Sequence, residues 1–203
     1  HPYVLREMEA ARASDPRAAS SAFDRALFGH IGFALSNFAR ALVLGLLGSH
    51  PVPVPDVAPE TRRYYQQLTR FSAALAFLAD VSMGVLGGSL KRREKISGRL
   101  ADALAYLYLA SAALKRYHDE PKTRPNYALA SWSTELCLYR IQEALIGVLD
   151  NLPVRWVALL LKLAIFPLGA RFRPPSDRLG SEVARDILEN REAGSHADLP
   201  RQL

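Results

Sequence analysis

The stretch LAFLADVSMGVLGGSLKRREKISGRLADALAYLYLASAALKRY, residues 75–117, decides the fold. It reads as two apolar helices joined at Gly87-Gly88, with the cluster Lys91-Arg92-Arg93-Glu94-Lys95 just past the turn. Tyr64, Leu68, Phe71, Leu75, Leu78, Ser82 and Val85 alternate at spacings of four and three. Ile96, Leu100, Ala103, Leu107, Ala110, Leu114 and Tyr117 do the same. That repeat puts each set on one helix face, the pattern of a bundle seam. The expected spans are 59–86 and 89–118, with the glycines ending the first helix and Ser89 capping the second. The run Gly84 to Lys91 resembles a phosphate-binding glycine loop only superficially, because such loops follow a strand and keep a strict spacing. Asp80 lies deep in the first apolar helix. A buried carboxylate needs a partner, and Arg99 or another basic residue across the bundle would serve as well as a catalytic role would.

Working outward, residues 1–11 form a short helix with Pro2 in its first turn, ended by a loop around Ser14-Asp15-Pro16. Ser20 or Ser21 caps a helix over about 20–47, whose stripe Phe23, Leu27, Ile31, Leu35, Phe38, Leu42 and Leu46 is expected to face inward. Gly32 and Gly45 lower its propensity, and close packing against a neighbour is the expected reason. PVPVPDVAP, residues 51–59, blocks helix and favours an extended connector. A helix over about 126–151 turns Trp132, Leu138, Ile141, Leu145, Val148 and Leu152 inward. The fold class is therefore all-α: an up-down bundle of four main helices plus shorter terminal and apolar helices. The expected division is residues 1–18 as the end of, or linker from, an upstream domain, 19–190 as the bundle, and 191–203 as a polar, disordered tail.

VRWVALLLKLAIFPLG, from Val154, is apolar almost all round but too short to span a bilayer, which needs about 20 apolar residues. Arg155, Trp156, Lys162, Arg171 and Arg173 punctuate or flank it, as in a helix that lies in a membrane surface. Burial against the bundle or a neighbouring domain is the other reading. Arg173-Pro174-Pro175 stops the element, and Ser176 or Asp177 caps a last helix to about Glu189.

The 203 residues carry a formal net charge of +6, which favours an acidic partner such as an anionic membrane, a nucleic acid or a phosphorylated ligand. Lys91, Arg92, Arg93 and Lys95 form the most concentrated positive patch. At a helix N-terminus they oppose the dipole, so either water or an outside anion must account for them. Nucleic acid is not expected as a partner, because the aromatic residues fall on the inward seams rather than among the exposed basic ones. The single cysteine, Cys137, excludes an internal disulfide framework and fits a reducing compartment. The five histidines show no H-x-x-x-H or H-E-x-x-H spacing, and no nucleophile-elbow motif occurs. Catalytic, cofactor-binding and metal-binding residues are all expected to be absent, and no signal peptide is apparent.

ADVSMGVLGGSLKRREKISGRLADALAYLYLASAALKRY, residues 79–117, resembles the C-terminal helical region of the bacterial fatty-acid β-oxidation acyl-CoA dehydrogenases of the FadE type. HPYVLREMEAA (1–11), FGHIGFALSNFAR (28–40), RRYYQQLTRFSA (62–73) and VALLLKLAIFPLGARFRPPSDRLG (157–180) fit the same family. SGRLADALAYLYLASAALKR is similar, more distantly, to the extra C-terminal domain of very-long-chain acyl-CoA dehydrogenases.

The resemblance implies an FAD-dependent enzyme that oxidises medium- or long-chain fatty acyl-CoA to the trans-2-enoyl ester. A glutamate takes the α proton, the flavin N5 takes the β hydride, and electrons pass to an electron-transfer flavoprotein. In the family, HPYV follows the dehydrogenase domain, so the glutamate and the FAD-binding segments are expected upstream of His1 and this chain is expected to be inactive alone. The implied roles are subunit association in a homo-oligomer, attachment to an anionic membrane surface, or both. The implied location is the cytoplasm, peripheral on the inner membrane. The rival reading is a stand-alone helical scaffold or peripheral-membrane module without activity.

Overall fold

The structure, a computed structural model, describes residues 2–12 and 15–197, with side chains within 3–189. Among the described residues seven α-helices follow one another: α1 Pro2–Ala11, α2 Pro16–Leu46, α3 Arg62–Leu86, α4 Glu94–Asp119, α5 Arg124–Asn151, α6 Arg155–Ile165 and α7 Asp177–Ala197. A 3-10 segment, Gly87–Arg92, links α3 to α4, and the described residues contain no strand. The all-α reading holds.

Local chemistry sets the helix ends. α2 begins earlier than the expected Ser20, because Asp15 Oδ1 accepts the Arg17 N–H at 3.1 Å and Pro16 occupies the first turn. α1 ends at Ala11, before this loop as expected, and the Asp-Pro pair caps the helix that follows. Gly87, at φ +50°, ends α3 as expected. Ser89 does not cap α4; its hydroxyl donates to Leu86 O at 2.6 Å, and α4 starts after Arg93 with no side-chain cap. Thr123 Oγ1 accepts the Asn126 N–H to open α5, and Ser176 Oγ accepts the Leu179 N–H to open α7. α7 runs on to Ala197, through 191–197 of the expected disordered tail, since no proline interrupts the chain before Pro200. The rest of that tail, 198–203, lies outside the described residues.

The core is built where the seams of α3, α4 and α5 meet. Phe71, Leu78, Leu114, Ile141, Leu145 and Val148 are fully buried. Each such side chain contributes about 1.5–3 kcal/mol relative to leaving it in water. Phe71 also meets Phe166 and Phe172 in tilted ring contacts, with centroids 6.5 and 4.9 Å away, which docks the segment after α6 onto α3. Tyr64 donates to Glu135 at 2.9 Å and Tyr117 to Glu60 at 2.6 Å. The proline-rich connector is extended, and Gln66 Nε2 holds its start by donating to His50 O at 3.0 Å.

α2 departs from expectation. Its buried residues are Ala26, Asn37, Ala41 and Gly45. Phe23, Leu27, Ile31, Leu35 and Leu46 face outward, and only Phe38 and Leu42 of the stripe are half-buried. The small residues are what let α2 approach its neighbours. A Cβ at Gly45 would sit 2.8 Å from Pro167 Cδ, which bears out close packing there. Gly32 has nothing within 4 Å, so packing does not account for it.

Candidate interaction surfaces

Asp80, on the inner side of α3, is 5% exposed at its side chain and meets an imidazole rather than a guanidinium. His30 Nε2 on α2 lies 3.6 Å from Asp80 Oδ1, and His30 Nδ1 lies 3.0 Å from Glu7 Oε1 on α1. Tyr3 stacks on the same ring at 5.9 Å. Burial pushes the Asp80 pKa above the usual carboxylate value, and His30 opposes that shift. The expected partner, Arg99, is elsewhere: it donates to Lys95 O and lies against Gly147. The three groups run in a line from α1 through α2 to α3, so they tie helices together instead of enclosing a ligand. Among the described residues no group of three His, Cys, Asp or Glu could hold a metal ion. Cys137 is buried, and burial pushes its thiol pKa up, which disfavours the reactive thiolate.

Lys91, Arg92, Arg93 and Lys95 are all exposed at the corner between the 3-10 segment and α4. Arg92, Arg93 and Lys95, with Arg99 and Asn151, border a shallow cleft of about 370 Å³. Asn151 ends α5, and four residues later Arg155 opens α6. The fold thus brings the basic corner to the end of α5, so that the residue four before Arg155 borders the same cleft, which the sequence alone did not show. Arg171 and Arg173 lie past the other end of α6 and are exposed.

α6 resolves into two faces. Ala158, Leu161, Ala164 and Ile165 pack into the bundle. Trp156, Leu159, Leu160 and Leu163 face outward, with Trp156 68% exposed. The burial reading holds for the inner face, and the outer face is left exposed. Asp150 holds the cations on the outer side: Arg155 Nη1 donates to its carbonyl at 3.0 Å and Lys162 Nζ to its Oδ1 at 3.3 Å.

The outer face of α2 is the larger apolar surface, and sequence reasoning assigned it to the core. Phe23, Leu27, Phe28, Ile31 and Leu35 lie along it, and Phe28 is 71% exposed. The signal that could have found it is the second stripe, Ala26, Asn37, Ala41 and Gly45, whose small residues permit close approach. Two helical runs, Pro16–Leu46 and Arg62–Arg92, are long and apolar enough to cross a membrane, a test that the core helix of a bundle also passes.

The family model for the acyl-CoA dehydrogenase C-terminal domain, bacterial type, matches residues 1–197. No solved structure matches the chain.

Proposed function

The chain belongs to the bacterial-type acyl-CoA dehydrogenase C-terminal family, and on that premise we propose that it is the non-catalytic docking domain of an FAD-dependent enzyme. That enzyme oxidises medium- or long-chain fatty acyl-CoA to the trans-2-enoyl ester and passes electrons to an electron-transfer flavoprotein. The flavin and the glutamate base belong to the dehydrogenase part, not to this one. The residues here do not suit a flavin: Gly84, Gly87 and Gly88 lie in open space around a helix stop, with no cradle about them. No step of the reaction is assigned to this chain.

The observation that carries the reading is the outer face of α2. An exposed apolar row from Phe23 to Leu35 is the kind of surface that marks a protein interface. α1, which leads into the bundle from the expected dehydrogenase side, packs on the same helix through Tyr3 against Gly29. The docking partner is the dehydrogenase domain, its own or that of a second subunit in a homo-oligomer. Residues 19–190 form the docking unit and 1–18 the connection. In the full-length enzyme, Phe28→Asp/Leu35→Asp should weaken subunit association in light scattering while flavin content and helical circular dichroism stay unchanged. An unaltered mass distribution would refute docking on a second subunit and leave the chain's own dehydrogenase domain as the partner.

The outer face of α6 favours a second role. Trp156, Leu159, Leu160 and Leu163, rimmed by Arg155, Arg171, Arg173 and the basic corner, have the make-up of a helix lying in an anionic membrane surface. The enzyme would then work in the cytoplasm against the inner membrane, where long acyl chains partition.

A further inference from the structure

Arg70, near the middle of α3, is 8% exposed. Its Nη2 donates at 2.9 Å to the carbonyl of Ile165, the last residue of α6. The C-terminal carbonyls of a helix supply about half a negative charge at most. Arg70 Nε is buried and has no acceptor. Two turns earlier on α3, Arg63 is held by neutral groups, Nη1 donating to Gln66 Oε1 at 3.1 Å. Arg171 Nε donates to Leu168 O at 3.2 Å. Phe71 and Phe172, the sequence neighbours of Arg70 and Arg171, are in tilted ring contact at 4.9 Å, which brings the two segments together. After burial, the charges of Arg171 and Arg63 are what lower the Arg70 pKa, and no carboxylate offsets them.

A guanidinium cannot neutralise itself by losing its proton. Burying one without a counter-ion costs several kcal/mol. Arg70, buried in this way beside the half-buried Arg63 and the exposed Arg171, both also held by neutral oxygens, leaves the place of an anion to be filled from outside. The planar fork of arginine matches the oxygens of a phosphate group. The basic corner has no equivalent of Arg70, because its cations are all at the surface.

We propose that Arg63, Arg70 and Arg171 form a phosphate-binding site between α3 and the segment after α6, with the exposed Arg171 at its mouth. The ligand is a phosphate group, carried by a lipid headgroup or by a soluble phosphoester. The site stands apart from the α2 row and shares only Arg171 with the rim of the α6 face.

The test titrates this chain with inorganic phosphate against sodium chloride of equal ionic strength, following melting temperature and calorimetric heat. Phosphate should stabilise the parent above the chloride control. Arg171→Gln, a surface change that removes a like charge near Arg70, should not lower the phosphate-free melting temperature and should weaken phosphate binding by about tenfold or more. Arg70→Met, checked for helix content, should abolish binding, and Lys91→Gln/Arg92→Gln should not alter it. Vesicles of phosphatidylcholine with and without phosphatidic acid then separate the sources. Retention specific to phosphatidic acid that Arg171→Gln weakens assigns a lipid headgroup. Phosphate binding with vesicle retention unaffected by Arg171→Gln assigns a soluble phosphoester. If phosphate acts no differently from chloride, or acts equally on Arg171→Gln, the proposal fails and the cluster's counter-ion is a carboxylate of the docked protein.

Discussion

Asp80 of α3 faces the imidazole of His30 on α2 at 3.6 Å, inside the bundle and 50 residues away in sequence. The same ring reaches Glu7 at 3.0 Å, so one side chain links the first three helices. An apolar helix carries a carboxylate here because the histidine offsets part of its burial.

The titration of Asp80 has a definite sign. Its folded pKa lies above the ordinary value of 3.8, so the native state keeps the proton over a range where the unfolded chain has released it. Stability then falls as pH rises from about the unfolded value through the folded one. Asp80→Asn cannot titrate and should show a shallower loss of urea midpoint across that range. Parallel profiles for parent and variant would remove Asp80 as the source.

Two glycines of α2 should respond in opposite directions. Gly45→Ala places a methyl 2.8 Å from Pro167 Cδ, and overpacking of this kind costs about 1–3 kcal/mol. Gly32→Ala meets nothing within 4 Å and should stabilise by about 0.5–1 kcal/mol, the ordinary helix gain of alanine over glycine. Urea unfolding of the two variants beside the parent measures both. Equal effects would mean that α2 does not approach the α6 segment as closely as described.

The membrane-surface role makes a separate prediction. The parent should co-sediment with anionic liposomes, and Trp156→Ala/Leu160→Glu should remain in the supernatant with its helix content intact. Neutralising Lys91, Arg92 and Arg93 to glutamine should weaken binding roughly 100-fold at low salt, at about 1 kcal/mol per basic residue near an anionic surface. If the parent does not pellet, the outer face of α6 meets protein rather than lipid.

The bundle was legible where the four-three repeat falls on helices surrounded by others. The seams of α3 and α4 emerge as read, from Leu68 to Leu78 and from Ile96 to Tyr117. On α2 the same kind of repeat misled. Periodicity reports that a helix has an apolar face, not whether that face meets this chain's core or another surface. The core-facing side of α2 is instead a row of small residues, whose value lies in how near they let a neighbour come. The loop at Asp15-Pro16 does separate α1 from α2, but the cap of α2 is Asp15 rather than Ser20 or Ser21, because a proline is tolerated in the first turn. The Asp80 partner was beyond reach for a different reason: a contact between α2 and α3 depends on the rotation of both helices, which spacing does not fix. The cations fared in between. Their exposure follows from charge, but the meeting of the basic corner with the end of α5 follows from the fold.

The most direct measurement of the docking account is hydrogen–deuterium exchange, comparing this chain with the full-length dehydrogenase. The account gives slower exchange in the full-length enzyme across peptides covering α2, 16–46, with little change in the middle of α4, whose outer side carries Leu104 and Tyr108 away from the docking face. Equal exchange of α2 in both proteins would contradict it, because the row from Phe23 to Leu35 would then remain uncovered in the assembled enzyme.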